Sequence, residues 1–131
     1  MVFIYPAIVH LDDDGIWLEF SDLDGCTTFG DNIEEVYDNA VEAMEVYILS
    51  ALENNISLPK SSDINILKKY VDDNSFITFI KANVDLAKNT KSIKKTLTIP
   101  EWLNKLAIEK NLNFSQVLQE ALVKKLIRNQ S

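Results

Sequence analysis

At 131 residues the chain has room for one domain or two small ones, and its 47% apolar content is ordinary for a globular protein. No apolar run can span a bilayer and no signal-peptide pattern opens the chain, so a cytoplasmic protein with no membrane partner is expected. A lone Cys26 excludes an intramolecular disulfide and a cysteine-rich zinc site, and a lone His10 argues against a histidine-rich metal site or a Ser-His-Asp triad. The net charge of −7 conceals a split: residues 1–63 hold fourteen acids against Lys60 alone, and residues 64–131 hold six acids against twelve bases. Such halves suit opposite partners, a cationic protein for the first and an anionic nucleic acid for the second.

Val2 to Val9 is apolar and β-rich, and Pro6 within it suggests an edge position or a bulge. Asp12-Asp-Asp-Gly15 is a turn, after which Ile16, Leu18 and Phe20 alternate with Trp17 and Glu19 as the return strand of a hairpin. Cys26 to Phe29 reads as a short third strand. Asp31 and Glu34 have capping-box spacing at the head of a long amphipathic helix, with Ile33, Val36, Tyr37, Ala40, Val41, Met44, Tyr47, Ile48, Ala51 and Leu52 as its apolar positions. Asn54-Asn55 ends that helix. Asp63 to Val71 reads as a shorter helix, and Ser75 to Val84 as a fourth strand. A helix between strands three and four implies a right-handed crossover, hence a mixed sheet with a covering helix. Residues 1–84 then form one α/β domain, with 85–91 as a linker.

Residues 92–131 have a different pattern. Ile93, Leu97 and Ile99 alternate with Ser92, Lys94, Thr96 and Thr98, as in a strand that stops at Pro100, a residue suited to open a helix. Glu101 to Lys110 is a helix with Leu103, Leu106 and Ala107 inward and Trp102 in the core or an interface. Asn111 is suited to the left-handed conformation that ends it. Asn113 and Gln116 have capping-box spacing for a last helix, about Phe114 to Ile127, that buries Phe114, Val117, Leu118, Ala121, Leu122 and Leu126. One strand and two short helices bury too little apolar surface alone. A second copy solves this by pairing the two strands into an antiparallel ribbon, whose outward Lys94, Thr96 and Thr98 suit the major groove of DNA. Lys88, Lys91, Lys94 and Lys95 cluster on the run into the ribbon. The free N–H groups at the head of the last helix, near Asn113 and Ser115, suit a phosphate.

The carboxylates Asp12, Asp13, Asp14, Glu19, Asp22 and Asp24 could in principle hold Mg²⁺ for a nuclease. Asp-Asp-Asp-Gly is first a turn, however, and Asp22-Leu-Asp-Gly first a loop. Glu19 alternates to solvent, and no spacing forces three carboxylates together. No catalytic residue, metal site or cofactor is assigned. His10, at a strand end, takes no role, and Cys26 packs as a small apolar residue. Trp17 either meets a partner or packs under the helix.

The N-terminal residues Tyr5-Pro-Ala-Ile, Asp13-Asp-Gly15 and Asp22-Leu-Asp-Gly-Cys26-Thr-Thr-Phe-Gly30-Asp-Asn-Ile-Glu34-Glu, with the Ala-rich helix after them, resemble the HicB family of antitoxins. Val84-Asp-Leu-Ala and Leu97-Thr-Ile-Pro100-Glu-Trp-Leu extend the resemblance to its ribbon-helix-helix branch. Together they cover nearly the whole chain. The resemblance implies an α+β protein with a degenerate RNase H-like N-terminal domain that binds and blocks HicA, a small basic mRNA-cleaving toxin. It also implies a C-terminal ribbon-helix-helix domain that dimerises, binds operator double-stranded DNA and represses the operon. A second self-contact would give tetramers. The operator-reading positions carried over are Lys94, Thr96 and Thr98, with Lys95, Asn113 and Ser115 toward the backbone. For toxin contact the candidates are Asp12, Asp13, Asp14, Trp17, Glu19, Asp22 and Asp24. One departure is Lys95, which falls in the inward row where such ribbons usually place an apolar residue. The alternative readings are a stand-alone ribbon-helix-helix repressor with a ligand-sensing N-terminal domain and, less favoured, the metal-dependent nuclease.

Overall fold

The computed structural model describes residues 1–87 and 91–130, the last three by backbone alone, and divides into units spanning 1–84 and 85–130. Lys88 of the basic cluster, with residues 89 and 90 of the expected linker and Ser131, lies outside the described residues. The architecture is α+β.

In the first unit β1 (Val2–Asp12), β2 (Gly15–Glu19), β3 (Thr27–Gly30) and β4 (Ser75–Asn83) form one sheet in the order β3-β2-β1-β4. Every neighbouring pair is antiparallel. The expected mixed sheet is therefore corrected. Helix α1 (Ile33–Glu53) carries the chain from the β3 edge to the opposite edge, and the long connection after it lets β4 enter antiparallel to β1. A crossover rule applies only when the strands joined are parallel.

Pro6 is explained by hydrogen-bond parity. Met1 and Val84 exchange both backbone bonds, so odd residues at the start of β1 face β4 and even ones face away. Pro6 lacks its N–H on the side away from β4, where β2 pairs only with Ile8 to Asp12. No ladder bond is lost. The loop after α1 runs along this open stretch: Ser61 Oγ donates to the Ile4 carbonyl at 2.9 Å, and Tyr5 Oη donates to the Pro59 carbonyl at 2.6 Å.

One face of the sheet carries Tyr5, Ala7, Val9, Leu18 and Ile80, all buried. Against it α1 buries Val36, Ala40, Met44, Ile48 and Ala51, a narrower stripe than the full apolar set; Ile33 and Tyr37 stay exposed. The cap differs by one residue from the expected box. Asn32, not Asp31, is the N-cap, and its side chain accepts from Glu35 N–H at 2.8 Å. Acids stand three residues after both positions, so both registers satisfy the pattern. The close approach of Gly30 to Val36, where a Cβ would sit 3.0 Å from the Val36 nitrogen, fits the observed one. The helix ends with Asn55 left-handed (φ 55°), its N–H bonded to the Leu52 carbonyl and that of Ile56 to the Ala51 carbonyl. The expected second helix shortens to one α turn, α2 (Ile64–Leu67), capped by Asp63 and followed by a 3₁₀ turn over Lys68–Tyr70. Cys26 is buried, and burial raises its thiol pKa above the ordinary value, so it stays a protonated, poorly nucleophilic group.

In the second unit residues 91–99 carry no regular secondary structure, so the strand expected over 92–99 is not formed within the single chain. Pro100 is the N-cap of α3 (Glu101–Glu109). Asn111 is left-handed (φ 55°) as expected, with Leu112 N–H on the Ala107 carbonyl. Asn113 Oδ1 accepts from Gln116 N–H at 3.1 Å at the head of α4 (Phe114–Gln130), but the Gln116 side chain turns to Glu120 instead of closing the box. The expected burial of the apolar rows is corrected for the single chain. Leu103, Leu106, Phe114, Val117, Ala121, Leu122 and Leu126 are all exposed, Leu118 is half-buried, and among the described residues of this unit Ala107 alone is buried. Two helices and an irregular segment give each other too little surface to cover.

Candidate functional site

A cleft of about 630 Å³ opens where the β1–β2 turn, β3 and the start of α1 meet. Its aromatic wall follows from strand register. Trp17 stands directly across from Phe29, and both point away from α1. The Trp17 ring stacks on His10 with centroids 4.0 Å apart and planes 12° from parallel. Its Nε1 donates to Asp12 Oδ2 at 2.8 Å, which fixes the ring as a platform. Phe29 beside it is 72% exposed, although an aromatic of that size usually finds cover. Asp12, Asp14, Asp31 and Glu35 line the same cleft. The site therefore offers apolar faces within a ring of carboxylates, and it fits a cationic, partly apolar group.

Of the seven N-terminal candidates, Asp12, Asp14 and Trp17 line this cleft. Asp13 is exposed at the tip of the adjoining turn. Glu19 shares the Trp17 side of the sheet, its carboxylate 3.6 Å from His10 Nε2. The open alternative for Trp17 resolves against packing under the helix, because the ring lies on the opposite face. Asp22 serves the fold instead. It accepts from Ser62 N–H at 2.9 Å and from the Ser62 hydroxyl, tying the loop after α1 to the β2–β3 connection. Asp24 is exposed in that connection. Sequence reading missed Phe29 and Glu35 and used Asp31 only as a cap. The available signal was the Trp17–Phe29 register, which needs the β2–β3 pairing to be known.

In the second unit Lys94, Lys95, Thr96 and Thr98 are all exposed along the segment before α3, with Ser115 exposed in the first turn of α4. The Asn113 side chain is committed to its cap, which leaves its backbone neighbourhood rather than its amide for any anion. Among the described residues no three His, Cys, Asp or Glu side chains converge to hold a metal ion, and no helix is long and apolar enough to cross a membrane.

The first unit is a four-stranded antiparallel sheet under one long helix, and the second carries the helices α3 and α4. The sequence profile of the HicB-like antitoxins of bacterial toxin–antitoxin systems matches residues 5–121, and the chain belongs to that family. A chain in the structure of a toxin–antitoxin complex from Streptococcus pneumoniae is 32% identical, with a TM-score of 0.58 over 95% of this chain and 99% of that one. The crystal structure of the antitoxin HicB3 is 28% identical, with a TM-score of 0.55 over 95% and 98% of the two chains. The HicB antitoxin of Burkholderia pseudomallei shares the fold, with a TM-score of 0.65 at 21% identity over 95% of this chain and 98% of its own. A 14.9 kDa protein from the rep-hol intergenic region of Haemophilus phage HP1 is 31% identical over 103 residues, 76% of this chain and 75% of that protein.

Proposed function

We propose that this chain is a non-enzymatic antitoxin whose first unit binds and neutralises a HicA-type mRNA-cleaving toxin, and whose second unit dimerises and binds operator DNA to repress its own operon. Family membership supports the antitoxin role, and the Streptococcus relative comes from a toxin–antitoxin complex. The observation that carries the toxin-binding half is the cleft itself: a half-buried Trp17 and an exposed Phe29 among Asp12, Asp14, Asp31 and Glu35. It lies in a unit with sixteen carboxylates against four lysines, a net charge of −12. A small basic protein is drawn to such a surface mainly through faster association, and the aromatic platform gives it area to bury.

The DNA-binding half rests on the second unit. Its apolar rows are exposed in a single chain, and residues 91–99 form no strand within it; a second copy would cover the rows and supply a pairing partner. The paired ribbon then sets out two rows of Lys94, Thr96 and Thr98 for a major groove. The domains assigned are therefore 1–84 for the toxin, 85–91 as linker and 92–131 for DNA.

The test is co-expression with the product of the adjacent reading frame, which the proposal expects to be a small basic protein, followed by affinity capture and mass measurement. Wild-type chain should retain that protein. Asp12→Asn with Asp14→Asn should slow association and lower retention most at low salt. Absence of any capture by the wild-type chain would remove the antitoxin reading.

A further inference from the structure

The β3 edge offers a second, differently built contact. Parity fixes which of its backbone groups are free. Phe20 N–H bonds to the Cys26 carbonyl, so Cys26 faces β2, Thr27 faces outward, Thr28 inward and Phe29 outward. The Phe29 carbonyl confirms this, because it accepts from Asn39 Nδ2 of α1 at 3.0 Å. Thr27 N–H, the Thr27 carbonyl and Phe29 N–H point out of the sheet, and among the described residues no hydrogen bond reaches them. The strand, Thr-Thr-Phe-Gly, has none of the lysines, prolines or inward charges that usually guard an edge.

Beside this edge runs a groove of about 650 Å³, floored by a stripe of α1. Ala43 and Val46 lie along it, with Ile56 at its end; Val46 is 63% and Ile56 55% exposed. The helix stretch from Asn39 to Ser50 is about 16 Å long at 1.5 Å per residue. That matches about five residues of extended chain at 3.3 Å each. An edge strand with free donors and acceptors, flanked by an apolar helix groove of that length, is the arrangement that accepts an added strand.

We propose that the groove between β3 and α1 takes an extended segment of the toxin as a fifth strand, with apolar side chains against Val46 and Ile56 and basic ones toward Glu42. The inference rests on the antitoxin reading above. Charge selects the occupant. The groove lining contains Glu42 and no base, within a unit of net charge −12. A second copy of the same unit would bring like charge to the contact, and DNA would be repelled. A basic segment meets neither penalty.

The experiment uses the full chain co-expressed with the product of the adjacent reading frame, the small basic protein that the proposal above expects. Val46→Arg places bulk and positive charge in the groove at a surface position, and unchanged thermal melting of the free variant checks its fold. Retention should fall at least tenfold, while hydrogen exchange in the wild-type complex should slow at the outward amides Thr27 and Phe29. Equal retention by wild type and variant, with Thr27 and Phe29 still exchanging freely in the complex, overturns the added strand but leaves the antitoxin reading standing. Protection of those amides in the toxin-free chain would assign the edge to a second copy and likewise overturn it. No capture by the wild-type chain overturns both.

Discussion

Tyr5 shows how a single buried hydroxyl ties together two distant parts of the first unit. Its hydroxyl donates to the Pro59 carbonyl, and burial, helped by the nearby charges of Asp22 and Tyr47, raises its pKa from 10.0 to about 12. The sign of the linkage follows. Above pH 10 the unfolded chain ionises Tyr5 while the folded chain keeps its proton, so this contribution is complete below pH 10 and is lost as pH rises toward 12. Tyr5→Phe should destabilise the fold by about 1 kcal/mol near neutral pH through the lost hydrogen bond. The stability gap between wild type and variant should close between pH 10 and 12, measured by urea unfolding at each pH. A gap independent of pH would contradict the buried, neutral hydroxyl. Asp22 illustrates the same scale from another side: its oxygens hold Ser62, so its charge belongs to loop closure and not to the cleft.

Element boundaries in the first unit are decided where strands and helix meet. The sequence offers overlapping caps, Asp31 with Glu34 and Asn32 with Glu35, and both are chemically sound. The second is used, with Gly30 pressed against Val36. Asn32→Ala should therefore cost about 1 kcal/mol in chemical denaturation, the usual loss for a helix N-cap, whereas Asp31→Ala should leave stability nearly unchanged. Reversal of that order would move the cap back to Asp31. The β1 strand makes a related point. Pro6 would break a strand paired on both sides, yet β2 stops short of it and the loop after α1 runs along the open side.

At the scale of the whole molecule the proposal gives the two oppositely charged units separate partners, and the exposed apolar rows of the second unit are the surface a second copy would cover. The regulatory half of the proposal is tested there. Lys94→Ala together with Thr96→Ala should weaken operator binding in a gel shift by about 1–3 kcal/mol for each lost base contact. If Lys94 touches only phosphate, the loss should be uniform across sequences and the salt dependence shallower. An unchanged shift in the double variant would exclude the segment before α3 as the DNA-reading surface.

Much of the fold was legible because short-range patterns carry it. Strand alternation located the four strands of the first unit to within a few residues, whereas the strand it also marked over 92–99 is not formed within the single chain, and three-and-four spacing located α1, α3 and α4. Turn and cap residues such as Asn55 and Asn111 announced the helix ends. The direction of β4 was not legible, since a long helical connection permits either sense once β3 and β4 occupy opposite edges. The aromatic cleft was not legible either. Trp17 and Phe29 are twelve residues apart and become neighbours only through the β2–β3 register, and Asp22 leaves the acidic set only because Ser62, forty residues on, folds back to meet it. Periodicity and capping are properties of neighbouring residues, so the amino-acid order determined them by itself. Register, strand sense and the company each carboxylate keeps depend on contacts between distant residues, and only the tertiary structure decided those.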